Sequence, residues 1–194
     1  MRPSLVFLVV LGYTESMKSL WICLFGMILG FSLYAVEERT MHVASTFTAN
    51  TMIPKAYTGE GADESPPLSI DEIPGNTKSL ALIMDDPDAP VGTFVHWVLW
   101  NYPVSSPSLT LPQGLPKTGR LPNGAQQGTN DFGRQGYNGP MPPRGHGIHH
   151  YHFKVYALDT VLAIPAGSRK ADLERALKGH ILAQAELIGL YERK

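Results

Sequence analysis

The stretch G-T-N-D-F-G-R-Q-G-Y-N-G-P-M-P-P-R-G-H-G-I-H-H-Y-H-F-K-V-Y-A-L-D, residues 128–159, divides into two halves that obey different rules. From Gly128 to Gly147 it is dense in Gly, Pro and Asn, residues that admit positive φ or hold φ near the proline value, so neither helix nor strand runs through it. A structured loop is the expectation. From Ile148 onward the residues alternate, with His149, Tyr151, Phe153 and Val155 on one face and His150, His152, Lys154 and Tyr156 on the other, the period of a β-strand. The first face opens with an imidazole and a phenol and continues as Phe and Val. Polar groups at the mouth of an apolar interior point to a binding site.

Two further strands lie upstream. Ser79 to Asp85 is apolar on both faces, Leu80, Leu82 and Met84 against Ala81 and Ile83, which predicts a central strand. It stops at Asp86-Pro87-Asp88-Ala89-Pro90, because proline removes a backbone donor and restricts the residue before it. The chain resumes as Phe94 to Asn101, with His96, Val98 and Trp100 assigned to one face and Val95, Trp97 and Leu99 to the other. So short a link predicts an antiparallel pair.

The remaining segments are weaker signals. Phe47 to Thr51 and its flanks are Thr-rich and strand-like, residues 59–67 read as loop, and Leu68 to Ile73 is a short apolar-polar segment before the turn Pro74-Gly75-Asn76. Pro103 to Gln127 has no sustained periodicity and reads as a pinned surface connection. From Ser168 onward, Leu173, Leu177, Ile181, Gln184, Ile188 and Tyr191 recur at helical spacing, with Ser168 as cap and Gly179 dividing the segment. The expectation is a mainly β fold of antiparallel strands with a C-terminal helix, one domain over residues 36–194.

Residues 1–35 differ in composition. Lys18 precedes an uncharged apolar run, Ser19 to Tyr34, that closes at Ala35 before Glu37-Glu38-Arg39, the pattern of a secretory signal peptide, and Met17 is a better start for it than Met1. As a helix this run reaches about 24 Å, short of the ~30 Å hydrocarbon core, so export to the periplasm or medium is favoured over anchoring. The only cysteine, Cys23, lies inside this segment, which leaves residues 36–194 without disulfide or thiol chemistry. The net charge of −1, with Lys and Arg scattered, excludes a nucleic-acid partner.

Polar residues sit where strands begin or end: Asp86, Asp88, His96, His149 and Tyr151. Taken singly, Asp86 and Asp88 read as turn residues and His96 as a core histidine with its hydrogen bonds met. Taken together, carboxylate, imidazoles, phenol and the N–H groups of a Gly-Pro loop make a site for a phosphate or carboxylate group. His146, His150 and His152 read as surface residues. The histidine-rich run offers no zinc signature, since His149 and His150 point to opposite faces and no H-E-x-x-H occurs. There is no G-x-S-x-G and no nucleotide-binding glycine motif at a strand-to-helix junction.

S-P-P-L-S at 65–69, D-P-D-A-P at 86–90, His96-Trp97, N-D-F-G-x-x-G-Y-x-G-P-x-P-P at 130–143 and G-x-G-x-H-x-Y at 145–151 resemble, in order, the signatures of the phosphatidylethanolamine-binding proteins, also called Raf kinase inhibitor proteins. The short link before His96 and the ending A-E-L-I-G-L-Y at 185–191 are similar to the bacterial and archaeal branch. The resemblance implies a two-sheet antiparallel β fold with Greek-key connections and a small anion pocket lined by Asp86, Asp88, Pro90, His96, Gly139, Pro143, His149 and Tyr151. It implies a phosphate-bearing ligand or phospholipid head group, membrane contact through head groups at most, and a homodimer. It brings no catalytic residue, no cofactor and no metal. Two other functions stay open on the residues alone: a hydrolase using the Asp and His groups as general acid and base, and an inhibitor of an exported protease or kinase presenting the 128–147 loop.

Overall fold

The computed structural model describes residues 40–194, so the expected signal peptide and the expected alternative start at Met17 lie outside the described residues. The elements, in order, are β1 (His42–Ala44), β2 (Thr51–Met52), a 3-10 turn at Lys55–Tyr57, β3 (Leu68–Asp71), β4 (Ser79–Asp86), β5 (Phe94–Pro103), β6 (Leu109–Leu111), β7 (Gln126–Gln127), β8 (His149–Leu158), the helix α1 (Lys170–Leu177) and β9 (Ile181–Tyr191). They form a three-stranded sheet, β1-β3-β6, and a six-stranded sheet, β2-β9-β8-β4-β5-β7. All ladders are antiparallel except the two-residue pairing of β2 with β9. The order β8-β4-β5-β7 is a Greek key, interrupted only by β6, which leaves for the smaller sheet.

Alternation along the strands builds three layers. Leu80, Leu82 and Met84 of β4, Trp97 and Leu99 of β5, and Tyr151, Phe153 and Val155 of β8 pack on Leu68, Ile70 and Leu111 of the smaller sheet. On the opposite face Ala81, Ile83, Val95, Val98 and Trp100 pack on Leu173 and Leu177 of α1. Every residue of β4 is buried, as its two apolar faces require.

The larger sheet departs from regularity where it matters. Met84 pairs with Trp97 but Asp85 pairs with Val95, so His96 is an extra residue in β5, a β-bulge. The bulge overturns the expected face. Val95 packs with Val98 on the helix side, and His96 turns to the inter-sheet side, its ring edge-to-face against Tyr151 at 5.2 Å.

Four other expectations are corrected. Residues 47–50 form a turn between β1 and β2, with Asn50 at φ 59° and Thr51 N–H donating to the Thr48 carbonyl, and not a strand. The 103–127 connection contains β6 and β7, strands too short for periodicity to reveal. The helix ends at Leu177, and 181–191 is β9, which pairs with β8 along its whole length. Gly179, at φ 82°, stops the helix where an L side chain would be strained. Ser168 does not cap it; its hydroxyl donates to the Pro165 carbonyl, while the Asp172 carboxylate accepts the Arg169 N–H.

Candidate binding site

The end of β4, the bulge of β5 and the start of β8 meet at one end of the larger sheet. Asp86, His96, His149 and Tyr151 are each at most 3% exposed there. The Asp86 carboxylate accepts the Asp88 N–H through Oδ1 at 2.9 Å and lies 2.7 Å from His149 Nδ1 through Oδ2. A carboxylate next to a ring nitrogen fixes the tautomer, so Nδ1 of His149 carries hydrogen. On the far side of that ring, Nε2 is 2.8 Å from Nδ1 of His146. Asp86, His149 and His146 therefore form a chain from the interior to the exposed loop. His146 is exposed, as expected, and its ring nonetheless reaches the buried His149.

The bulge leaves part of β5 for the loop to satisfy. Asn138 N–H donates to the His96 carbonyl and Asp131 N–H to that of Val95, while the Asp131 carboxylate accepts the Val95 N–H at 2.8 Å. Asn130, fully buried, holds the loop in shape: its amide nitrogen donates to Gly136 O and Asn138 Oδ1, and its oxygen accepts the N–H groups of Phe132 and Arg134. So anchored, the Asn138 carbonyl sits 2.8 Å from His96 Nδ1. The Asp63 carboxylate accepts Gly139 N–H at 2.6 Å and the Asn138 amide at 3.0 Å, and pairs with Lys117. A side chain at Gly139 would place Cβ 2.3 Å from the Tyr57 carbonyl, so only glycine permits this approach.

Burial pushes the His96 imidazole below its ordinary pKa, against the opposing pull of backbone hydrogen bonds to Asn138 and Gly139 and of the Asp86 and Asp131 carboxylates. Burial, with the Asp86 charge adding to it, pushes the Tyr151 phenol far up, so its hydroxyl keeps its proton. Among the described residues Thr77, Trp100 and Tyr151 carry buried polar atoms without a hydrogen-bond partner, and of these only Tyr151 belongs to this cluster. Phe94 and Phe132 close around His96 at 5.4 and 5.3 Å.

The structure thus gathers Asp86, His96, His149 and Tyr151, with Gly139 as the close-packed support of the loop. It does not gather the others. The Asp88 carboxylate turns outward, where the His150 ring and N–H hold it below the usual carboxylate range. Pro90 and Pro143 are exposed at the loops. His146, Phe94, Phe132, Asn138 and Asp63 were not expected in the assembly, and among them Phe132, Asn138 and His146 lie inside quoted motifs. Among the described residues no group of three or more His, Cys, Asp or Glu is placed to hold a metal ion.

A family model described as phosphatidylethanolamine-binding protein matches residues 43–192. A UPF0098 protein of Pyrococcus horikoshii is 54% identical over 160 residues, covering 81% of this chain and 79% of the relative. One from Aquifex aeolicus is 48% identical over 170 residues, covering 87% and 98%. Among solved structures, Escherichia coli YbcL, described as a new member of the mammalian PEBP family, superposes with a TM-score of 0.73 at 35% identity, over 80% of this chain and all of that one. A phosphatidylethanolamine-binding protein homologue from Chlamydia trachomatis gives 0.71 at 40% identity, over 80% and 99%.

Proposed function

The chain belongs to the phosphatidylethanolamine-binding protein family, and from that premise we propose that it is an exported protein that binds a small anionic group, a phosphate carried by a soluble ligand or a lipid head group, at the Asp86–His96–His149–Tyr151 cluster. The observation that carries the reading is the Tyr151 hydroxyl, a buried donor with no partner at hydrogen-bond distance among the described residues, set between the His96 and His149 rings. A buried polar group left alone costs about 1–3 kcal/mol, and a ligand oxygen recovers that cost. Phe94 and Phe132 exclude water from the His96 ring and strengthen whatever polar contact forms there.

Calorimetric titration of the protein with inorganic phosphate is the direct test. Saturable binding that is lost in His149→Ala, with the fold intact by circular dichroism, supports the reading; no heat at millimolar phosphate overturns it. Export rests on the composition of residues 1–35. Fractionation of cells expressing the full chain recovers a shortened protein outside the cytoplasm; a full-length cytoplasmic product contradicts export.

A further inference from the structure

Two carboxylates from the segment after the 3-10 turn hold the two ends of the loop at 138–147. Asp63 takes its start, through the Gly139 N–H and the Asn138 amide. Glu60 takes its end: Oε2 accepts the Tyr191 hydroxyl at 2.8 Å, and Oε1 accepts Arg193 Nε at 3.1 Å and Arg144 Nη2 at 3.5 Å. The Arg193 carbonyl in turn accepts the Gly145 N–H at 3.1 Å. Next in the chain is His146, whose Nδ1 lies 2.8 Å from Nε2 of the buried His149. Tyr191 is also the register partner of His149 in the β8–β9 ladder, so Glu60 grips both the strand end beside His149 and the loop that carries His146. The mount of Glu60 is itself fixed. Its N–H donates to Thr58 Oγ1 at 3.3 Å, that hydroxyl donates to the Lys55 carbonyl at 2.9 Å, and a side chain at Gly61 would put Cβ 1.9 Å from the same carbonyl. The hydrogen bond from Tyr191, opposed by desolvation and reinforced by Arg193 and Arg144, holds the Glu60 carboxyl below its ordinary value, so all three donors meet a charged acceptor.

Asp86 holds the His149 ring from the interior, through Nδ1, and His146 holds it from the solvent side, through Nε2. A ring bonded at both nitrogens keeps one orientation. Resting on the anion-binding reading above, we propose that Glu60 is a positioning residue of the site: acting through Arg193 and the Gly145 N–H, it sets His146 against His149 and so fixes the imidazole that the anion meets. The ring is then ordered before the ligand arrives, and binding does not have to supply that ordering.

The test compares the protein with Glu60→Gln and Arg193→Ala at one fixed pH, first by a nitrogen–proton spectrum of the histidine side chains without ligand, then by calorimetric titration with inorganic phosphate. Glu60→Gln keeps the size of the side chain and removes its charge. Arg193→Ala removes the guanidinium and leaves in place the carbonyl that binds Gly145. In both variants the signals of His146 Nδ1 and His149 Nε2 move toward those of a free imidazole, while His149 Nδ1, held by Asp86, keeps its own. Phosphate affinity falls about 3- to 10-fold, the span of one hydrogen bond. The double variant binds no more weakly than the weaker single one, because both substitutions interrupt one path. Nitrogen signals that stay in place in Glu60→Gln while the urea midpoint falls overturn the inference and leave Glu60 a stabiliser of its turn. Losses that add in the double variant overturn it as well, since Glu60 and Arg193 then act by separate routes. Either result leaves the anion reading standing; absence of phosphate binding by the unsubstituted protein overturns that reading and, with it, any part for Glu60 in binding.

Discussion

At the scale of single residues, the Tyr151 hydroxyl separates stability from function. Buried and without a partner, it contributes nothing to the unliganded fold that a hydrogen at the same ring position would not. Tyr151→Phe therefore keeps the urea midpoint or raises stability by up to about 1 kcal/mol, while phosphate affinity falls roughly 5- to 10-fold. Loss of more than about 1 kcal/mol with affinity unchanged would make the hydroxyl structural. Asp86, His96, His149 and Tyr151 were legible in the sequence because each puts a polar group into or at the end of an apolar strand. His146, Phe132 and Asn138 were not, because a Gly-Pro loop has no period from which direction can be read.

At the scale of elements, the opposite face of the larger sheet is tied by a buried charge that the sequence reading passed over. Asp85 is 1% exposed, and Lys154 of β8 and Lys170 of α1 lie 2.8 and 2.5 Å from its oxygens. Burial opposes its charge, but the hydrogen bonds from the two lysines outweigh that penalty and hold its carboxyl below the usual value. The folded pKa being depressed, the contribution is complete above the unfolded value of about 4 and is lost as pH falls through the folded one. Asp85→Asn lowers stability by about 1–3 kcal/mol at pH 7 and flattens the fall in urea midpoint below pH 4; an unchanged acid limb would show that the carboxylate does not link β4, β8 and α1. The central strands were readable from their alternation. The end of the chain was not, because a spacing of four, as between Leu187 and Tyr191, serves a helix and a strand alike. Pairing with β8, a contact no local pattern records, decided for the strand.

At the scale of the whole molecule, the layers put flat apolar packing between two sheets and under a helix, and leave one end of the larger sheet to polar groups and loops. The ordered motifs made the two-sheet fold legible, since they follow one another in sequence from residue 65 to residue 151. What they did not convey is the bulge that turns His96 toward Tyr151, because it is set by the register of β4 against β5 rather than by either strand alone. The site exists only once that register is made. The measurement that addresses it most directly is a side-chain nitrogen–proton spectrum of the seven histidines during a phosphate titration. The account predicts that His96 and His149 shift saturably with one common dissociation constant while His42, His152 and His180 stay fixed; saturable binding that leaves His96 and His149 unmoved would place the anion elsewhere and contradict it.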